Sequence, residues 1–192
     1  MDLPWNDERS NQFITNVGLI TTDGPFGPNV MACEWTHHIS YQPGLIAVSL
    51  GNTKATVENI RISKEFGVNL CASDQSVLSS VAGGYTGSMY DKVSALKEMG
   101  FEFYKAQRIN SLMIKGAVLN IECKLYKEIT LGDHITFVGE VVEASNNPDK
   151  VPLAYHKGKY WIMNTNLAKP SMEERQSIKK IVEKYSKDDT RR

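Results

Sequence analysis

The clearest pattern in the chain is a period-two alternation that begins at Leu119. Leu119, Ile121, Cys123 and Leu125 alternate with Asn120, Glu122, Lys124 and Tyr126, a repeat that assigns one set to each face of a β-strand and that no helix reproduces. Residues 134–144 return as its partner strand. A second extended stretch, 29–39, sends Met31, Cys33, Trp35 and Ile39 to one side and Ala32, Glu34 and Thr36 to the other. The Tyr41-Gln42-Pro43-Gly44 turn comes next, because proline presets one dihedral and glycine permits the next. The β-branched run 45–50 then pairs back. Residues 13–22 and 66–71 supply further strands, and 153–155 with 160–163 a last hairpin around Lys157-Gly158-Lys159. Helical spacing is confined to four places. They are 53–63, capped by Thr53 with Val57 and Ile60 inward; 75–82, capped by Asp74 with Val77, Leu78 and Val81 inward; 93–99, closed by Gly100; and 171–185. The last opens on a Ser171/Glu174 capping box and carries Ile178, Ile181, Val182 and Tyr185 on one stripe. Gly83 to Ser88 breaks the second helix and is expected to be a mobile, accessible loop. Residues 187–192 are expected to fray.

Composition narrows the function. The 192 residues suit one domain with decorations, and 41% hydrophobic with 23% charged residues is ordinary for a globular chain. Lysine plus arginine equals aspartate plus glutamate at 22 each, so no global field draws in nucleic acid or an anionic membrane. No apolar run is long enough to span a bilayer and the N-terminus lacks a signal-peptide core, which points to the cytoplasm. Cys33, Cys71 and Cys123 lie far apart in apolar runs, as buried packing residues do, and no C-x-x-C pair supports a metal site or disulfide framework. His37-His38 sends adjacent rings to opposite faces of a strand, so the pair does not chelate one ion from regular β geometry.

The hairpin 28–51 and the helix start after it, with Lys54 and Thr56, make a candidate anion site, since helix amides, hydroxyls and a cation converge there. The ordered pattern Asn29…Trp35…Ser40-x-x-Pro43…Val48-Ser49…Thr56-x-x-Asn59-Ile60, then Glu65 to Leu70, then Gly132-Asp133-His134, resembles the flavin reductase-like family across residues 12–163. The resemblance implies an all-β core with added helices, built as a six-stranded antiparallel Greek-key split β-barrel that binds FMN and pairs as a homodimer. It divides the chain into a tether at 1–11, the FMN-binding domain at 12–167, and a C-terminal amphipathic helix with a charged tail at 168–192. It also implies electron transfer from NAD(P)H through FMN to flavin, ferric chelate or another small-molecule or protein acceptor. A carrier reduced by a partner protein is the alternative, and a small β-barrel binding module without flavin a third.

The same resemblance assigns roles. Lys54, Thr56 and the helix amides face the FMN phosphate, with Asn52 beside them. Asn29, Met31, Ala32, Cys33, Thr36, Ser49 and Leu50 belong to the flavin-contacting strands, and Ala32 is small enough to admit the ring. Glu34 is open between an exposed barrel charge and a flavin neighbour. Trp35 shares parity with Met31 and Cys33 and is expected in the core. His134 matches a nicotinamide-facing histidine, with hydride transfer itself belonging to the cofactor. Lys92 belongs to Asp91-Lys92-Val93, where many relatives have Asp-Lys-Phe. Thr86-Gly87-Ser88 stands where they carry Ser-Gly-Arg, so one arginine is missing, which bears on NAD(P)H oxidation more than on FMN binding.

Overall fold

The alternating segment at 119 becomes the middle of the largest sheet. In the computed structural model, which describes residues 1–5 and 7–186, the strands are β1 (Thr15–Asn16), β2 (Gly18–Thr22), β3 (Asn29–Cys33), β4 (Thr36–Tyr41), β5 (Gly44–Gly51), β6 (Glu65–Leu70), β7 (Phe103–Lys105), β8 (Leu112–Ile114), β9 (Leu119–Leu131), β10 (His134–Asn146), β11 (Leu153–His156) and β12 (Lys159–Ile162). The helices are α1 (Ala55–Ser63), α2 (Ser76–Gly84), α3 (Lys92–Glu98) and α4 (Met172–Glu183). The core is thus mostly antiparallel β-sheet with helices added. The main sheet runs β3-β2-β6-β9-β10-β5-β4, and β1-β11-β12 and β7-β8 form smaller ones. The expected tail at 187–192 lies outside the described residues.

The sheet has seven strands rather than the expected six, because residues 29–39 form two strands. The chain bends at Glu34–Trp35. There Thr36 Oγ1 donates to Cys33 O at 3.1 Å, and Ser49 N donates to Trp35 O at 2.9 Å. The bend reverses the side-chain parity of the second strand relative to the first. Trp35 is therefore not a core residue: it is 48% exposed and its ring lies 4.5 Å from that of His134.

One face of the sheet closes around Ile20, Val48, Leu50, Phe66, Cys123 and Phe137, with Val57 and Ile60 of α1 sealing it. The other face of β2 and β3 packs Leu19 and Val30 against Leu78 and Ala82 of α2 and Leu96 of α3. Both faces of β2 are therefore buried, which explains its unbroken apolar run. Close approach needs glycine at Gly139, where a Cβ would lie 2.5 Å from the Phe66 ring. All three cysteines are buried and free, and burial pushes the thiols of Cys71 and Cys123 up to about 12.

Helix starts differ from the sequence expectation in instructive ways. Asp74 does not cap α2; it pairs with Lys150, and a 3-10 turn at Ser73–Gln75 precedes the helix. Val77 faces solvent. Asp91 caps α3, accepting from Ser94 N at 3.0 Å. In α4 the Ser171/Glu174 capping box forms on both arms, yet none of its residues is buried against the rest of the chain. The hairpin β7-β8, which the pattern does not predict, is tied down by two buried carboxylates. Glu122 accepts from Gln107 N at 2.8 Å and Arg108 N at 2.6 Å, and Glu65 accepts from Asn110 N at 2.5 Å.

Candidate active site

Strand β3 forms one wall of a cavity of about 780 Å³, completed by the start of α1, the end of α2 with its adjoining loop, the start of α3 and the hairpin β11-β12. Asn29, Met31, Ala32, Cys33, Glu34, Lys54, Thr56 and Lys92 line it together. Chain segments more than fifty residues apart thus meet at one place.

The end near α1 is cationic. The residue that opens α1 is Lys54, not Thr53, and no side chain caps the helix; Val57 N donates to Lys54 O at 2.9 Å, which leaves the Ala55 and Thr56 amides with their hydrogen-bonding capacity. Asn29 Nδ2 donates to Thr56 Oγ1 at 3.0 Å and locks β3 to the helix start. Lys92, the first residue of α3, is only 3% exposed. Its Nζ donates to Ala82 O at 3.1 Å and Tyr85 O at 3.0 Å, carbonyls at the C-terminal end of α2. Burial, and then the like charge of Lys54, push its ammonium down to about 8. Neither lysine is among the ion pairs of the described residues. Two cations and an uncapped helix start therefore share a cavity end without a carboxylate, the arrangement that favours an anion.

The loop after α2 is accessible for most of its length but touches β3 at Gly87. The helix continues through Gly84, and Gly87 lies so near Asn29 that a Cβ would come within 2.4 Å of its Oδ1. A larger residue at 87 would push this wall away. At the other end, Tyr160 donates to Ser79 Oγ at 3.0 Å, and the rings of Tyr155 and Tyr160 meet edge-on at 5.6 Å. Burial, and after it the charges of Glu34 and Tyr160, push the Tyr155 hydroxyl up. Burial also pushes the Glu34 carboxyl up and the Cys33 thiol to about 11, so no thiolate is available there.

The remaining candidates lie elsewhere. Thr36 faces a separate, largely apolar cavity of about 510 Å³. Ser49 Oγ pairs with Thr136 Oγ1 at 2.7 Å, and Leu50 is wholly buried in the core. Asn52 is exposed and its amide donates to Asp133 O at 3.4 Å. His134 is outside the cavity lining, its Nδ1 2.7 Å from Asp133 Oδ1 and its ring against Trp35. Sequence reasoning missed Ser79, Tyr85, Tyr90, Tyr155 and Tyr160 in the lining. The one local signal for any of them was the Lys157-Gly158 turn, which brings Tyr155 opposite Tyr160. Among the described residues, no group of three or more His, Cys, Asp or Glu is arranged to hold a metal ion.

Comparison with known proteins gives this geometry a context. The chain is 31% identical to the NADH-dependent FMN reductase AsuE2 of Streptomyces nodosus subsp. asukaensis, over 76% of this chain and 77% of that one. It superposes on the flavin reductase PheA2 with a TM-score of 0.69 and 29% identity, covering 83% and 99% of the two chains. The fold is shared with flavoredoxin from Methanosarcina acetivorans at a TM-score of 0.75 and 21% identity, covering 93% and 99%. The chain spans just under two thirds of the length of some curated relatives, 66% and 63% of two archaeal proteins. The model of the flavin reductase like domain matches residues 10–163, most of the chain, and this protein belongs to the flavin reductase-like family.

Proposed function

We propose that the protein is an FMN-binding oxidoreductase of the flavin reductase type, taking hydride from NAD(P)H and passing electrons to flavin, ferric chelate or another acceptor. The observation that carries this reading is the cationic cavity end, where Lys54, Lys92 and the uncapped start of α1 meet without a carboxylate. The fit is good. A volume of about 780 Å³ lies within the range of small-molecule sites, and the strand wall leads from the cationic end past Ala32 toward the tyrosines. Lys54, Lys92 and the α1 amides would hold the phosphate, with Asn29 and Thr56 bracing that end. Met31, Ala32 and Cys33 would flank the ring. When bound, FMN supplies the capacity to accept hydride and release electrons; the chain's own residues bind, orient and exclude water.

His134 is proposed to position the hydride donor from outside the cavity lining. Anaerobic mixing of the FMN-loaded protein with NADH or NADPH should bleach the flavin band. His134→Ala should keep FMN affinity and slow that reduction about tenfold, the loss of roughly one orienting contact. Wild-type reduction rates in the variant at subsaturating nucleotide would remove His134 from the mechanism. One observation favours the carrier reading instead: the His134 ring is already engaged by Asp133 and Trp35. Loaded protein that neither nucleotide reduces would establish that alternative.

The reading includes a homodimer acting in the cytoplasm. Its support is α4, where Ile178, Ile181 and Val182, with Tyr185 just beyond, all face solvent in the isolated chain. A stripe of that kind is normally covered. Sedimentation velocity at micromolar concentration should give a dimer, consistent with a contact of about 2,000 Å² or more in total. A stable flavin-loaded monomer would rule it out. Among the described residues, no helix is long and apolar enough to cross a membrane.

A further inference from the structure

Among the residues lining the main cavity, Glu34 is the only carboxylate. It stands on the bend that ends β3 and takes part in none of the ion pairs among the described residues. Its position along the strand defines the polarity of the cavity. At about 3.3 Å per residue, Glu34 lies roughly 16 Å along the chain from Asn29, which is bonded to Thr56 at the cationic end. Its charge reaches Tyr155, whose ring meets that of Tyr160 edge-on at 5.6 Å, and Cys33 is beside it in the chain; the charge that reaches Lys92 is that of Lys54. The cavity therefore carries two ammonium groups at one end and a single uncompensated carboxylate toward the other.

We propose that Glu34 sets the energy of the reduced flavin, its negative charge near the ring disfavouring the charge that the flavin gains on reduction. This rests on the FMN reading given above. Hydride transfer moves two electrons and one proton from a reduced pyridine nucleotide to the flavin. The nucleotide ring is left as a cation and the flavin gains one negative charge. A carboxylate beside the ring opposes the second change and favours the first. The reduced flavin is thereby kept ready to pass its electrons on. Glu34 keeps contact with solvent, so water screens the effect and holds it to a modest size.

The test compares wild type, Glu34→Gln and Glu34→Asp at one pH. FMN is titrated into each, and the potential of the bound flavin is then measured anaerobically against a reference dye. All three proteins should bind oxidised FMN within about threefold of each other, since the phosphate end is untouched. Glu34→Gln should raise the affinity for reduced over oxidised flavin about tenfold, which is a potential about 30 mV more positive for a two-electron couple. Glu34→Asp, which keeps the charge, should stay near wild type. An unchanged potential in Glu34→Gln would overturn the proposal. So would a Glu34→Asp shift as large as that of Glu34→Gln, which marks a packing effect, or a Glu34→Gln protein that no longer binds FMN, which marks a binding residue. Wild type that binds no FMN would overturn the functional reading itself, and this inference with it.

Discussion

Replacing Lys54 by alanine and Lys92 by methionine should weaken FMN binding by two orders of magnitude or more and leave riboflavin binding close to wild type. The two ligands differ only in the phosphate, so the comparison isolates the cationic end of the cavity. A charge-assisted contact contributes roughly 1.5–3 kcal/mol, and about 1.4 kcal/mol is a factor of ten, so two lost contacts account for the effect. Methionine is chosen at 92 because the side chain is buried and its volume must be kept. Thr56 is left in place. It is 1% exposed and accepts from Asn29, so changing it would disturb the wall as well as the ligand. Titration of both flavins against both proteins, with thermal melts to check folding, gives the answer. Equal losses for FMN and riboflavin would show a damaged fold rather than a missing phosphate site.

FMN affinity in the wild type should also fall as pH is raised beyond 8, by up to about tenfold per unit. The cause is Lys92, whose ammonium is held down to about 8 by burial and then by the like charge of Lys54. A phosphate monoester has its second pKa near 6 and is a dianion throughout this range. Beside Lys92 it favours the charged amine, so the amine's pKa is higher in the complex than in the free protein. Between those two values the complex holds more protons than its parts, and binding takes up a proton. Affinity is therefore flat below 8 and declines above it, until the higher value is reached. Riboflavin, without the phosphate, should show no such decline, and Lys92→Met should abolish it for FMN. Calorimetry in two buffers of different ionisation enthalpy measures the proton uptake directly. An FMN affinity that stays level from pH 7 to 10 would mean that Lys92 does not face the phosphate.

Features that depend on near neighbours in the chain were legible without coordinates. The alternation from Leu119 to Cys123 needs only backbone periodicity to assign its faces, and those apolar positions do turn inward. Ser171 and Glu174 form their capping box because both partners lie within one helical turn. Val57 and Ile60 share a helix face, and the three cysteines sit in strand-like apolar runs, so their burial came from local pattern. Lys54 and Thr56 stand at a helix start after a strand, a local placement, and both line the cavity.

Tertiary structure decided whatever depends on two distant segments closing on each other. The bend at Glu34–Trp35 comes from the Ser49 amide reaching Trp35 O, and that bond lies beyond any window of strand periodicity. It turns Trp35 outward onto His134 and changes the strand count. Gly87 reads locally as part of a loose loop, yet its missing side chain is what lets Asn29 pack against it. Burial of Lys92 depends on the α2 carbonyls that receive its ammonium, and the tyrosine end of the cavity on a hairpin far along the chain. Local sequence determines which face a residue presents. Its distance from a lysine or a carboxylate elsewhere in the chain, and hence its chemistry, is set only when the sheet curls and the loops close.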